Sequence, residues 1–351
     1  MFKELDLSPY ILAGFSGFTL TFLFVLLALI IFPKIGLMDR PSRYGLTRSS
    51  IPYYGGLAMF FAFAVCILFF VPFSKELIGL LVTLVLIVAM SFLDDLFQIR
   101  PLYRLVGQVL VSVGVVISGI GIRSISNPFG QAFLLDQWSF RILGTEILVL
   151  GALFTIAWIV FVVNSMNFFD GVPGLLSGVS FFAFLLLFLL SLRGSHLIDQ
   201  TQLMYLSSIL AGICLAFAIF DFPVPKILMG DTGSMFLGFL LAISAIFSGG
   251  KVATVTIVLG FPLFDALWSI VRRLSRGQSP FQGDMNHLHH KLLKTGVSER
   301  KVVVFIYAVS VFFGYITLFL DTFQKMLAIG AILFTMLFLG ILLFFRQKST
   351  R

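Results

Sequence analysis

The chain has 351 residues, of which 59% are hydrophobic, 15% aromatic and only 11% charged, with 43 phenylalanines and a mean hydropathy of +1.07. Globular chains carry roughly 25% charged residues, so a soluble domain is excluded, and an all-α polytopic membrane protein folded as one integral domain over residues 1–351 is expected. The formal net charge of +8 comes without a basic stripe interleaved with aromatics, which argues against a nucleic-acid partner.

Runs of about 20 apolar residues suffice to cross the hydrocarbon core. Eleven spans are expected, over residues 10–32, 55–72, 76–93, 102–120, 146–163, 173–192, 203–220, 233–248, 252–272, 302–320 and 326–345. The first is too long for a signal-peptide core and lacks a basic flank, because Lys3 stands beside Glu4 and Asp6. Cys66 and Cys214 both fall within spans, where neither a disulfide framework nor a zinc site is expected. Of the 24 Lys and Arg residues, 17 belong to one set of loops and the tail, and 7 to the other set. The positive-inside rule makes the first set cytoplasmic, with the amino terminus outside and the carboxyl terminus inside.

All five cytoplasmic loops carry chemistry-bearing residues. The first reads from Met38 to Gly56 and contains Arg40, Arg43 and Arg48, Pro41 and Pro52, and a Gly55-Gly56 pair at the next helix start. Such a loop suits the presentation of cations and backbone N–H groups to phosphate. The plain alternative is positive-inside arginine with glycines that permit close helix packing.

The next loop opens with Asp94-Asp95 at the end of an apolar run. Acidic groups at a helix C-terminus oppose the macrodipole, so helix stability does not explain them. Adjacent carboxylates raise one pKa or recruit a cation, which suits a general base or Mg²⁺.

Asn164, Asn167 and Asp170 then recur every three residues, placing three oxygen donors on one side of the last helical turns. With no Lys or Arg in that loop to balance Asp170, a hard metal or sugar hydroxyls are the expected partners.

Met229-Gly230-Asp231-Thr232-Gly233-Ser234 joins a proline-containing segment to the next apolar run. Asp231 is placed to hold a divalent cation, and the helix start favours phosphate oxygens; a simple N-cap is the rival reading.

The longest loop holds Arg272, Arg273 and Arg276, then His287, His289 and His290. A short interfacial helix on Met285, Leu288 and Leu292 would turn His287, His290 and Lys294 toward a ligand. Phosphate is preferred to zinc because the segment has no cysteine. Pro262 in the preceding span is expected to bend it and keep Asp265 near the cytoplasmic surface.

These motifs, taken in order, resemble the polyprenyl-phosphate N-acetylhexosamine-1-phosphate transferases, glycosyltransferase family 4, from about Asp39 to Leu293. His287-Leu288-His289-His290 is similar to the bacterial undecaprenyl-phosphate branch that uses UDP-N-acetylglucosamine. The resemblance implies transfer of a sugar 1-phosphate from a UDP-sugar to undecaprenyl phosphate with release of UMP, starting a cell-envelope glycan at the cytoplasmic face of the cell membrane. It implies Mg²⁺, with Mn²⁺ as a substitute, on Asp231 and Asn167. Asp94 and Asp95 would bind or deprotonate the lipid phosphate, and Asp170 would line the diphosphate–sugar pocket. Asn164, Asn167, Arg43, Arg48, His287, His289 and His290 would meet the substrates, and a homodimer is left open. The family pattern differs at Tyr44-Gly45-Leu46-Thr47, where Arg-Lys-x-His is usual, at Pro173, where Asp is usual, and at Leu228, where Phe is usual. The phospho-N-acetylmuramoyl-pentapeptide transferases are the related alternative. A transporter or flippase is the alternative from another class, and it would place charges at the midplane rather than at one interface.

Overall fold

The computed structural model describes residues 6–41, 48–193, 200–248, 252–278 and 287–349, without the side chains of His289 and residues 343–349. Thirteen helices are described. The first seven are α1 (Ser8–Ile35), α2 (Gly55–Phe70), α3 (Lys75–Phe97), α4 (Pro101–Ile117), α5 (Val149–Phe169), α6 (Leu175–Ser191) and α7 (Thr201–Asp221). The others are α8 (Gly230–Phe247), α9 (Val252–Val258), α10 (Gly260–Leu274), α11 (Leu288–Lys294), α12 (Glu299–Thr317) and α13 (Thr322–Ser349).

Among the described residues seven helices are long and apolar enough to cross a membrane, or eight if α9 and α10 count as one bent span. Helices α2, α4 and α6 are apolar but shorter. Helix α8 forms the centre, with 89% of its apolar window buried, whereas α13 lies at the edge with 6% buried. An edge helix this exposed and this apolar has lipid as its natural solvent.

Several helix ends sit where local chemistry puts them. Ser74 caps α3 by accepting the Leu77 amide at 3.1 Å, and Pro101, with no N–H to lose, begins α4. Only residues 98–100 separate α3 from α4, so the end of one and the start of the other lie side by side.

The all-α expectation needs one correction. Two antiparallel pairs occupy the connection between α4 and α5: β1 (Ser124–Ile125) with β2 (Phe133–Leu134), and β3 (Ser139–Ile142) with β4 (Thr145–Leu148). The second pair turns through Leu143 and Gly144, both at positive φ, as a two-residue hairpin requires. Strand β4 also takes the first residues of the span expected at 146–163, so α5 starts later and runs on to Phe169.

The expected bend is present, but it falls ahead of Pro262. The break lies between Val258 and Gly260, with an angle of 88° between α9 and α10. Proline lacks the N–H that would bond the carbonyl four residues earlier, and its ring crowds that carbonyl. For Pro262 that residue is Val258, the last of α9.

Candidate active site

The three acidic motifs converge where the ends of α3 and α5 meet the starts of α4 and α8. The two aspartates of α3 have different surroundings. Asp95 accepts the backbone amides of Asp231 at 3.0 Å and Thr232 at 2.9 Å, the Thr232 hydroxyl at 2.6 Å and the Tyr53 hydroxyl at 3.2 Å. It therefore caps α8 from outside, where unpaired N–H groups and the positive helix end favour a carboxylate. The rival reading of Asp231 as an N-cap does not hold, because Met229 occupies that position without a side-chain cap and Asp231 lies in the first helical turn.

Asp94 is 6% exposed and accepts the Ile99 amide at 2.8 Å, closing the turn into α4. Its other oxygen lies 2.9 Å from Nη1 of Arg104, and the same nitrogen lies 3.0 Å from Asp231. Arg104 thus bridges two motifs. Sequence reasoning passed it over as one more positive-inside charge. The signal was available: a cation in the first turn of a helix opposes the dipole, as Asp94 does at a C-terminus. Arg104, Gln108 and Ser112 also recur every four residues along an apolar helix, and Gln108 exchanges amide hydrogen bonds with Asn164, the closer at 2.6 Å.

Asn164, Asn167 and Asp170 are all half-buried on one side of the end of α5, as expected. Asn167 donates to Ser234 at 2.9 Å and hydrogen-bonds the Asp231 carboxylate. Burial holds the Asp170 carboxyl well above the usual carboxylate range, and Asp221, Asp231 and Asp95 push it further in that direction.

The first loop departs from its expected role. Gly55 and Gly56 donate their amides to Leu228 at 2.8 Å and Met229 at 3.0 Å, so these groups are spent on the chain rather than offered to phosphate. Gly56 serves close packing instead: a Cβ there would lie 2.2 Å from the Gly233 nitrogen. The Arg48 guanidinium is paired with Asp39 at 2.5 Å and with the Ser49 carbonyl at 3.0 Å, which makes it a brace of the loop. Arg43, Tyr44 and Thr47 lie outside the described residues, as does Met285.

His287 is 4% exposed and precedes α11 as its N-cap residue, rather than sharing a helical face with His290 and Lys294. Its Nδ1 lies 3.2 Å from Asp265, whose other oxygen accepts the Leu288 amide at 2.9 Å. The His287 ring is 5.8 Å from Phe168 and 6.5 Å from His290, bringing the histidine segment against the end of α5. Asp265 also lines a cavity of about 720 Å³ between α10, α11 and α13. Phe264, Trp268, Leu333 and Leu337 give it apolar walls, and Arg272, Arg276 and Lys291 join its lining.

The donor set suits a hard divalent cation. Asp231 is 33% exposed, and the Asn167 side chain lies beside it, its amide N–H donating to that carboxylate. Among the described residues no three His, Cys, Asp or Glu converge on one point. A cage of that kind is not what Mg²⁺ requires, since it keeps several waters and binds through one or two carboxylates plus substrate phosphates.

The family model for glycosyl transferase family 4 matches residues 77–249, which contain every acidic motif above. The chain is 30% identical over 307 residues to a decaprenyl-phosphate N-acetylglucosaminephosphotransferase of Mycobacterium tuberculosis, covering 78% of this chain and 73% of that one. The chain belongs to glycosyl transferase family 4. This membership bears out the resemblance drawn from the loops. A probable undecaprenyl-phosphate N-acetylglucosaminyl 1-phosphate transferase of Bacillus subtilis is 28% identical over 317 residues, 88% of this family 4 chain and 84% of the relative. The undecaprenyl-phosphate alpha-N-acetylglucosaminyl 1-phosphate transferase of Escherichia coli is 28% identical over 302 residues, 83% and 78% of the two chains.

Proposed function

We propose that this family 4 enzyme transfers N-acetylglucosamine 1-phosphate from UDP-N-acetylglucosamine to undecaprenyl phosphate, at the cytoplasmic face of the membrane. The observation that carries the reading is the Asp94–Arg104–Asp231 bridge, with Asn167 and Asp170 beside it. The surplus of carboxylates over the single guanidinium favours a bound divalent cation. In the transfer, an oxygen of the lipid phosphate bonds to the β-phosphorus of the donor, and the bond from that phosphorus to the bridging oxygen of UMP breaks. Bound Mg²⁺ would neutralise diphosphate charge, held by Asp231 and Asn167.

The chain's own residues position the reactants. Asp94 holds Arg104 at the reacting end and accepts any proton left on the lipid phosphate. Arg104 offers a cation to phosphate oxygens. Asp95 keeps the α8 start and its Asp231 in place, while Asp170 and the histidine segment face the nucleotide sugar. The apolar groove of α10 and α13, with Arg272, Arg276 and Lys291, matches an amphiphile with an isoprenoid tail and a phosphate head. Counting the bent pair once and adding α2, α4 and α6 gives eleven crossings, which supports an amino terminus outside and a carboxyl terminus inside.

The test is donor choice. The purified chain with undecaprenyl phosphate and Mg²⁺ is given UDP-N-acetylglucosamine or the UDP-muramoyl-pentapeptide. The lipid-linked N-acetylglucosamine product is expected, and preference for the muramoyl donor would overturn the assignment.

A further inference from the structure

Beneath the loop that follows Asp170 lies a carboxylate with no part in the chemistry above. Asp221, the last residue of α7, is 4% exposed and accepts the Ser177 hydroxyl of α6 at 2.8 Å. The Gly174 amide adds a second hydrogen bond to its charge. From the other side, the Tyr307 hydroxyl of α12 donates to the Gly174 carbonyl. Gly174 has φ +80°, and a Cβ there would lie 2.5 Å from that of Phe222, so the chain crosses Phe222 with no room to shift. Helices α6, α7 and α12 therefore grip one residue, Gly174, at the far end of a five-residue loop whose near end is Asp170.

The partners of Asp221, the Ser177 hydroxyl of α6 and the Gly174 amide of this loop, are neutral, and burying a carboxylate on such terms is costly. The charge is also close to Asp170, being the foremost of those acting on it. Packing alone does not ask for an ionisable group at this point. Resting on the transferase reading, we propose that Asp221 is a positioning residue for the donor: with Ser177 and Tyr307 it fixes the Asp170–Gly174 loop at the height where Asp170 meets the sugar nucleotide.

Asp221→Asn keeps the volume but sets an amide N–H donor among groups that donate to the carboxylate; Tyr307→Phe removes the grip on the Gly174 carbonyl. Both variants and their combination, as detergent-purified full-length chains, are compared with the wild type. Calorimetry gives UDP-N-acetylglucosamine affinity without turnover, UMP release gives separate donor and acceptor KM values, and Tm reports folding. Asp221→Asn is expected to weaken donor binding and raise donor KM about tenfold, the scale of one disrupted buried hydrogen bond. Acceptor KM should stay within about twofold, and the double variant should be no worse than Asp221→Asn, since both act through Gly174. Unchanged donor affinity, donor and acceptor KM values rising together, or losses that follow Tm would overturn the positioning role while leaving the transferase reading intact. A wild-type chain that neither binds nor consumes UDP-sugars would overturn that reading, and this role with it.

Discussion

The Asp95 carboxylate accepts the amide of Asp231 at 3.0 Å, so the acidic pair on α3 and the aspartate on α8 form one structural unit. The two neighbours on α3 divide the work. One holds a helix start and the other holds an arginine.

That division predicts different phenotypes. Asp95→Asn should cost about 1–2 kcal/mol, the scale of a lost helix cap, and lower Tm in detergent. Asp94→Asn keeps an oxygen for the Ile99 amide but loses the charge that pairs with Arg104, so its larger effect should be on UMP release, slowed by about a hundredfold, the scale of a positioned acid–base group. Equal effects of the two substitutions on both readouts would show that the pair is not divided in this way.

Asp231→Asn changes little volume but removes one charge from the proposed Mg²⁺ site. Turnover should be abolished at ordinary Mg²⁺, and the stabilisation by Mg²⁺ seen as a rise in wild-type Tm should disappear. Wild-type activity in this variant would contradict the metal assignment.

For Arg104 the expectation is opposed movements. Arg104→Met leaves Asp94 and Asp231 without their shared cation, so Mg²⁺ should bind more tightly by calorimetry while turnover falls at least about tenfold. Weaker Mg²⁺ binding together with full activity would remove Arg104 from the site.

Much of this site was legible as charges in unfavourable places. Asp94 and Asp95 at a helix C-terminus, and Asn164, Asn167 and Asp170 on one side of α5, stood out because helix physics gave them no local reason to be there. The same test applied to Arg104 would have found it. What sequence could not give was the pairing between loops. Whether Gly55 and Gly56 offer their amides to a ligand or to Leu228 and Met229 depends on segments more than 170 residues apart. The role of Arg48 turned likewise on where Asp39 folds back. The hairpin around Leu143 and Gly144 went unread because its strands are four residues long and one merges into the apolar run of α5.

Asp170 gives a pH-dependent prediction. Its folded-state pKa is raised by burial and by neighbouring carboxylates, so the folded protein binds a proton that the unfolded chain releases near about pH 3.9. Stability should then fall as pH rises from that value toward the folded pKa. Without divalent cation, Asp170→Asn should raise Tm at pH 7.5 relative to wild type, and the gain should vanish toward pH 4. A Tm difference independent of pH would contradict the assigned origin of the shift.

The most direct test of the central claim is which nucleotide leaves. Purified protein with undecaprenyl phosphate, Mg²⁺ and UDP-N-acetylglucosamine should release UMP in a 1:1 ratio to the lipid-linked product. The reaction should stop when the cation is chelated. UDP as the released nucleotide, or lipid product formed without UMP, would contradict phosphosugar transfer.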